Sequence, residues 1–404
     1  MPHPGVRILI MAVAVLAPLP AYWAGHRLPI PVAVFEITLG IFIGPDVLGW
    51  AHGDQVVDAL SSLGLSMLIF LAGYEIEFAA VRGDTLRRAM DAWTVTLALA
   101  LGIAFALTGA QAGKSFVTGT ALTSTALGAV LPILRGAGAL GGRFATVVMA
   151  FGAVRGFGPI VAMSVLPGGR SPGRATAVLL AFALITVAAV IWALRPPPPW
   201  LPRVVTQTLH SSGQFAVRFV MLLLACMLGL SAAFGVDTLL GAFVAGLLTR
   251  LVLRRSAPDG GEAVLGKIEA MGFGFLVPIF FVVTGMQFDL DALLQGGRPL
   301  LLLPVFLLLF LLVRGGPAYL LAPSDLSRGD RGALARYCSA CLPLVVAITT
   351  IGVQDGALDT GAAAALTGAA MLSVLVLPLI APRVRGGTPA APAPTSPEVV
   401  DEPW

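Results

Sequence analysis

The chain has 404 residues, of which 57% are apolar and 11% charged, and its mean hydropathy is +0.92. That composition excludes a soluble enzyme and a nucleic-acid binder, and with only Cys226, Cys338 and Cys341 it also excludes a secreted disulfide scaffold. It is the composition of an integral membrane protein, in which the formal charge of +4, from 25 basic and 21 acidic residues, matters through where those residues fall.

A spanning helix needs about 20 mostly apolar residues. Arginine clusters, Gly-Gly pairs and proline runs punctuate the sequence at that interval and predict thirteen spans, at 8–25, 29–50, 57–79, 91–109, 115–134, 144–167, 175–194, 215–234, 238–253, 264–286, 299–322, 336–353 and 360–381. The first has the look of a signal peptide, with Arg7 before an apolar run that ends in small residues, but the distribution of charge argues for a retained span. With the N-terminus outside, the outer loops hold five basic residues (Arg7, Lys114, Arg170, Arg174 and Arg298) and the inner side holds eighteen. This asymmetry predicts a multi-pass cell-membrane protein with an outside N-terminus, a cytoplasmic C-terminus and an odd number of spans. Arg155 and Arg314 fall within spans. Residues 195–213, which include four consecutive prolines, read as a cytoplasmic hinge loop between two halves, and the Pro/Ala/Thr-rich 383–404 reads as a disordered cytoplasmic tail.

The two halves share a pattern. Span 2 carries Glu36, Gly40 and Phe42, and span 9 carries Asp237, Gly241 and Phe243 in the same register; Gly73 precedes Glu77 as Gly285 precedes Asp289. Because seven spans separate the matches, the halves are expected to have opposite orientation. The fold class read from the sequence is therefore an all-α polytopic membrane protein of about 13 transmembrane helices. Two inverted six-helix repeats lie in 1–194, which also holds a linker helix, and in 214–382. Inverted repeats mark secondary transporters, whose cargo binds near the midplane at interrupted helices in corresponding positions. The fifth span of each repeat is rich in small and hydroxyl residues, with Thr123, Ser124 and Thr125 in span 5, and Thr349 and Thr350 in the stretch after Pro343 in span 12. Their hydroxyls and freed carbonyls are candidate ligands for a dehydrated monovalent cation. Helix packing through small residues would produce similar runs. Gly40-x-x-x-Gly44 and the Gly241–Gly246 stretch read as close-packing surfaces, and Cys338-x-x-Cys341 has no second ligand pair, so no metal site is expected.

Four stretches, Glu36–Gly49, Ile69–Glu75, Gly241–Gly246 and Pro278–Met286, resemble in order and spacing the second branch of the monovalent cation/proton antiporters, the group that includes Kef-type potassium efflux systems. The resemblance implies a homodimer in the lipid bilayer that exchanges Na⁺ or K⁺ for protons by alternating access, with no enzymatic activity and no cofactor. It also implies a scaffold of spans 1–3 and 8–10, a mobile core of spans 4–6 and 11–13, and fifth spans that unwind and cross at the midplane. Such proteins usually place one or two carboxylates in the sixth span, where a cation and a proton compete for them. Here that stretch, Ala150–Pro159, holds no acid, and Arg155 and Gly156 stand in its place. Arginine stays charged in proteins, so Arg155 cannot carry the proton. Arg314 matches the basic residue that family members carry in the eleventh span. Glu36, the most deeply placed acid, is the candidate proton carrier. Two alternatives stay open at this point: an uncoupled family member with a regulatory role, and a transporter of an anion or organic acid drawn to the two arginines.

Overall fold

The computed structural model describes residues 4–25, 32–75, 83–109, 111–125, 142–165, 182, 184–191, 207, 214–234, 238–256, 261–295 and 297–386. All regular structure among them is helical. In chain order the helices are α1 (Pro4–Leu16), α2 (Pro18–Gly25), α3 (Val32–Ile43), α4 (Gln55–Glu75), α5 (Asp84–Leu107), α6 (Ala112–Thr123) and α7 (Gly142–Val165). A helical stretch at 184–191 falls within predicted span 7. The second half contains α8 (Phe215–Phe234), α9 (Thr238–Ser256), α10 (Gly261–Met286), α11 (Arg298–Leu320), α12 (Arg328–Ser339), α13 (Pro343–Gln354) and α14 (Thr360–Arg385). By length and composition, eight helical segments among the described residues are apolar enough to cross a membrane. The chain is a multi-pass membrane protein.

Local chemistry sets several of the ends. Ser327 accepts a hydrogen bond from the Asp330 amide (3.0 Å) and starts α12, and Asp359 accepts one from the Ala362 amide (2.9 Å) and starts α14. Gly386, in the left-handed region at φ 81°, stops α14. Two helices contain a π-helical turn, Gly272–Leu276 in α10 and Phe310–Gly315 in α11. The extra residue in such a turn rotates the remainder of the helix about its axis, and in α11 the π turn carries Arg314.

Two kinds of packing divide the molecule. In the first, α3 lies against the second half of α10 and α4 lies against α9, with backbones nearly touching. A Cβ on Gly40 or Gly285 would overlap the carbonyl of Val282 or Ile37, and one on Gly73 or Gly246 would overlap the carbonyl of Phe243 or Phe70. Small residues at such seams let helices approach where lipid offers no hydrophobic drive. In the second, α5, α6, α7, α11, α12, α13 and α14 pack around a cluster that includes Phe151, Phe310, Leu122, Val345 and Leu366.

Some predicted boundaries differ. Span 2 is helical only over Val32–Ile43, because Gly44 and Pro45 end it. Span 12 is expected from the sequence at 336–353, with unwinding near Thr349 and Thr350. Helix α12 instead starts at Arg328, the break falls at Ala340–Leu342, and α13 runs unbroken through both threonines. Pro343 is the reason: with no N–H to donate and φ preset, it fits the first turn of a new helix, not the interior of an old one. The hinge at 195–213, apart from residue 207, the tail beyond 386, and Glu77 and Asp237 lie outside the described residues.

Candidate functional site

The end of one helix and the break between two others meet in the second packing group. Helix α6 stops at Thr123, and Ser124 turns out to an extended conformation (φ −71°, ψ 142°). The hydroxyls of Thr123 and Ser124 fold back onto the carbonyls of Thr120 (2.8 Å) and Ala121 (3.1 Å), offering the last turn an alternative to a further helical bond. On the other side α12 ends at Ser339 and Ala340 is extended (φ −73°, ψ 125°). The breaks are joined where the Thr125 hydroxyl donates to the carbonyl of Cys338 (2.7 Å). Ser373, on α14, holds the rest of the second break: its hydroxyl accepts from the Cys341 amide (3.2 Å) and donates to the Ala370 carbonyl (2.7 Å). Unwound backbone at membrane depth needs such partners, and here side chains from other helices provide them.

Two arginines sit at this crossing, both fully buried. Arg314 donates from Nε to the carbonyl of Leu122 and from Nη2 to that of Ala121. These carbonyls belong to the last turn of α6, the negative end of its dipole, so the cation caps a helix C-terminus. Its guanidinium also lies 4.2 Å from the centre of the Phe310 ring. Arg155, in the middle of α7, donates from Nη1 to the Arg314 carbonyl (2.9 Å) and from Nη2 to the Thr96 hydroxyl (3.4 Å). The carbonyl that Arg155 uses lies within the π turn of α11. Thus neither buried cation is neutralised by an acid: among the described residues Glu36 is the one buried carboxylate, and it forms no hydrogen bond or ion pair. On insertion scales an arginine at the bilayer centre costs about 3 kcal/mol. Helix-end carbonyls and a hydroxyl offset part of that cost for the pair.

The structure brings Thr123, Ser124, Thr125, Arg155 and Arg314 together, all buried. Thr349 and Thr350 are not at the break. Thr349 is buried in α13, six residues beyond its start, where its hydroxyl donates to the Val346 carbonyl (3.0 Å) and lies 3.2 Å from that of Thr367; Thr350 is half-buried. Glu36 lies on α3, in the first packing group. Sequence reasoning missed Thr96, Ser373 and the Cys338 carbonyl. The first two are single hydroxyls in apolar helices, which is a weak signal, and a carbonyl ligand has no side-chain signature at all.

The family model described as "Sodium/hydrogen exchanger, transmembrane" matches residues 11–384. The chain belongs to this family. A Bacillus subtilis protein provisionally named as the Na⁺/H⁺ antiporter YjbQ is 26% identical over 398 residues, covering 94% of this chain and 63% of that protein. The Na⁺/H⁺ antiporter NhaS5 of Synechocystis is 29% identical over 78% of this chain and 44% of its own length. The chain thus spans less than two thirds of these two relatives. An Enterococcus hirae Na⁺/H⁺ antiporter is 22% identical over 88% of this chain and 92% of its own length. Among solved structures, the sodium proton antiporter MjNhaP1 of Methanocaldococcus jannaschii superposes with a TM-score of 0.62 at 15% identity, covering 93% of this chain and 95% of that one. At that identity the likeness is one of fold.

Proposed function

We propose that the protein exchanges a monovalent cation, Na⁺ or K⁺, for protons by alternating access at the crossing of α6 with the α12–α13 break. The observation that carries this reading is the crossing itself, two broken helices joined by Thr125 and Cys338 and capped by Arg314, in a chain of the sodium/hydrogen exchanger family. Cation ligands are the oxygens of Thr123, Ser124 and Thr125, with Thr349 and Thr350 further along the path. Glu36 is the proton carrier of this reading. It is buried and unpaired, and its carboxyl can take up and release a proton within the membrane, which neither arginine can do.

The arrangement proposed around this site has thirteen spans in two inverted repeats, 1–194 with a linker helix and 214–382, joined by a cytoplasmic hinge at 195–213. The N-terminus lies outside and the tail in the cytoplasm, and two copies form a homodimer through the scaffold. The glycine seams of α3 with α10 and α4 with α9 support a rigid scaffold, and the excess of basic residues on one side supports the orientation.

The test is reconstitution of the full chain into proteoliposomes with a pH-reporting dye inside. Adding Na⁺ or K⁺ outside should drive protons out of the lumen, and Thr123→Val should abolish that signal while the protein stays folded. No cation-driven proton movement under either ion, with correctly inserted protein, would overturn the reading.

A further inference from the structure

The crossing holds buried N–H groups that make no geometrically formed hydrogen bond, with the Cys341 thiol, a weak acceptor, beside Arg314. Arg155 Nε, Arg314 Nη1 and Trp93 Nε1 are buried and unpartnered, and both guanidiniums are completely enclosed. Arg155 is the link between the other two. Thr96 and Trp93, one turn apart on α5, face Arg155 and Gly158, one turn apart on α7: Thr96 accepts from Arg155, and a Cβ on Gly158 would overlap the indole of Trp93. Arg155 is in turn bonded to the carbonyl of Arg314. Helix α13 starts in the same break with Pro343 in its first turn and no side-chain cap, so the positive end of its dipole adds to the field.

Desolvated donors without acceptors are costly, and two buried like charges repel. Water could satisfy the donors but would leave the charge at +2. An anion corrects both. Its shape is set by which donors remain: the Nε/Nη2 edge of Arg314 is engaged by the α6 carbonyls, and both terminal nitrogens of Arg155 are engaged by Arg314 and Thr96. On each guanidinium the Nε–Nη2 edge that grips an oxyanion side-on has at least one nitrogen already bonded, so a halide, which needs no pair of matched donors, is the better fit.

We propose that this crossing binds one small monovalent anion of the halide class, held by Arg155, Arg314 and Trp93. The anion takes the place of the carboxylate absent from Ala150–Pro159. A further consequence, which rests on the cation exchange proposed above, is that the bound anion lowers the local charge from +2 to +1 and so makes a cation at Thr123–Thr125 tolerable. Binding itself does not depend on that exchange.

The test uses the full chain, purified in detergent with gluconate as the only anion and then titrated with iodide at constant ionic strength. Tryptophan fluorescence should show a saturable quenching component that is absent from Trp93→Phe and shifted at least tenfold to higher iodide in Arg155→Gln. Should Arg155→Gln fail to fold, the melting temperature decides: it should rise saturably with chloride in the wild type, with a weaker midpoint in Trp93→Phe. Quenching that is linear in iodide, together with equal melting temperatures in chloride and gluconate, would overturn the site. The transport arm compares cation-driven proton flux in chloride and gluconate. Flux lost in gluconate supports the anion's part in exchange, and equal flux in both overturns that part. Saturable binding with no flux in either medium overturns the exchange reading and leaves the anion site standing.

Discussion

The seams between α3 and α10 and between α4 and α9 are built unlike the crossing of α6 with the α12–α13 break. At the seams, glycines press backbone onto backbone and no room remains for a methyl group. At the crossing, backbone is pulled apart and its freed carbonyls are held by Thr125, Arg314 and Arg155. A glycine seam has one close-packed arrangement, whereas a hydrogen-bonded crossing can exchange one set of partners for another. A protein that alternates between two states needs both, a fixed surface and an element with two arrangements.

The comparison breaks most severely at the seam. Gly246→Leu or Gly285→Val must push two backbones apart and should eliminate monodisperse protein in fluorescence-detected size exclusion. Gly156→Ala, by contrast, meets only the Thr125 carbonyl at 3.9 Å and should fold normally. If Gly246→Leu elutes like the wild type, the seam is not rigid.

Arg314→Met is next. It strips the caps from Leu122 and Ala121 and should cut flux at least tenfold and lower stability by about 2–3 kcal/mol, the scale of lost charge-assisted bonds. Arg314→Lys should recover only part of the flux, because an ammonium cannot span two carbonyls as the fork does. Lower stability with normal flux would separate the cap from transport.

The missing acid sharpens the comparison further. In Gly156→Asp a carboxylate enters beside two cations, which hold it ionised, so little exchange should be gained. Arg155→Gly combined with Gly156→Asp removes one of those cations, and proton flux should rise several-fold in the dye assay. Robust wild-type exchange that survives Glu36→Gln would assign the proton to another group.

Smaller effects come from single hydroxyls. Thr125→Val loses one bond between the two breaks and should cost about 1 kcal/mol with a few-fold loss of flux. Thr349→Val, away from the break, should affect flux less than Thr123→Val; the reverse order would move the cargo path into α13.

The smallest effect is at the edge of the second packing group, where Arg143 donates to Asp325 (2.7 Å) across exposed surface. That hydrogen bond holds the Asp325 carboxyl below its usual range. Its contribution is therefore present above the ordinary aspartate value and is lost as pH falls through the lowered one. Arg143→Ala should lower the melting temperature slightly at neutral pH and low salt. The difference should vanish on acidification or at high ionic strength, since exposed pairs are screened.

Much of the fold is legible in the sequence. Hydropathy locates the apolar helices, and most of the span limits that fall on described residues agree to within a few residues because apolar length and Arg, Gly and Pro punctuation respond to the same bilayer. The hydroxyl run at Thr123–Thr125 is visible because three adjacent small polar residues are unusual at membrane depth. The second break is harder to place: Thr349 and Thr350 draw attention to α13, while Pro343, the residue that ends one helix and starts another, marks the site itself. Arg155 and Arg314 stand out as unpaired charges, but nothing local identifies their partners, since those are main-chain oxygens more than 150 residues away or on another helix.

The sequence by itself therefore determined that the chain enters the membrane, roughly where its apolar helices lie, and that Ala150–Pro159 carries an arginine and no acid. These are consequences of composition and spacing, which each segment expresses alone against lipid. Only the tertiary structure decided that α6 and α12 stop facing each other, that Arg314 caps α6, and that Arg155, Arg314 and Trp93 are left with donors to spare. Those outcomes depend on which backbone oxygens become free when two helices break at the same depth, and that is settled by packing between segments far apart in the chain.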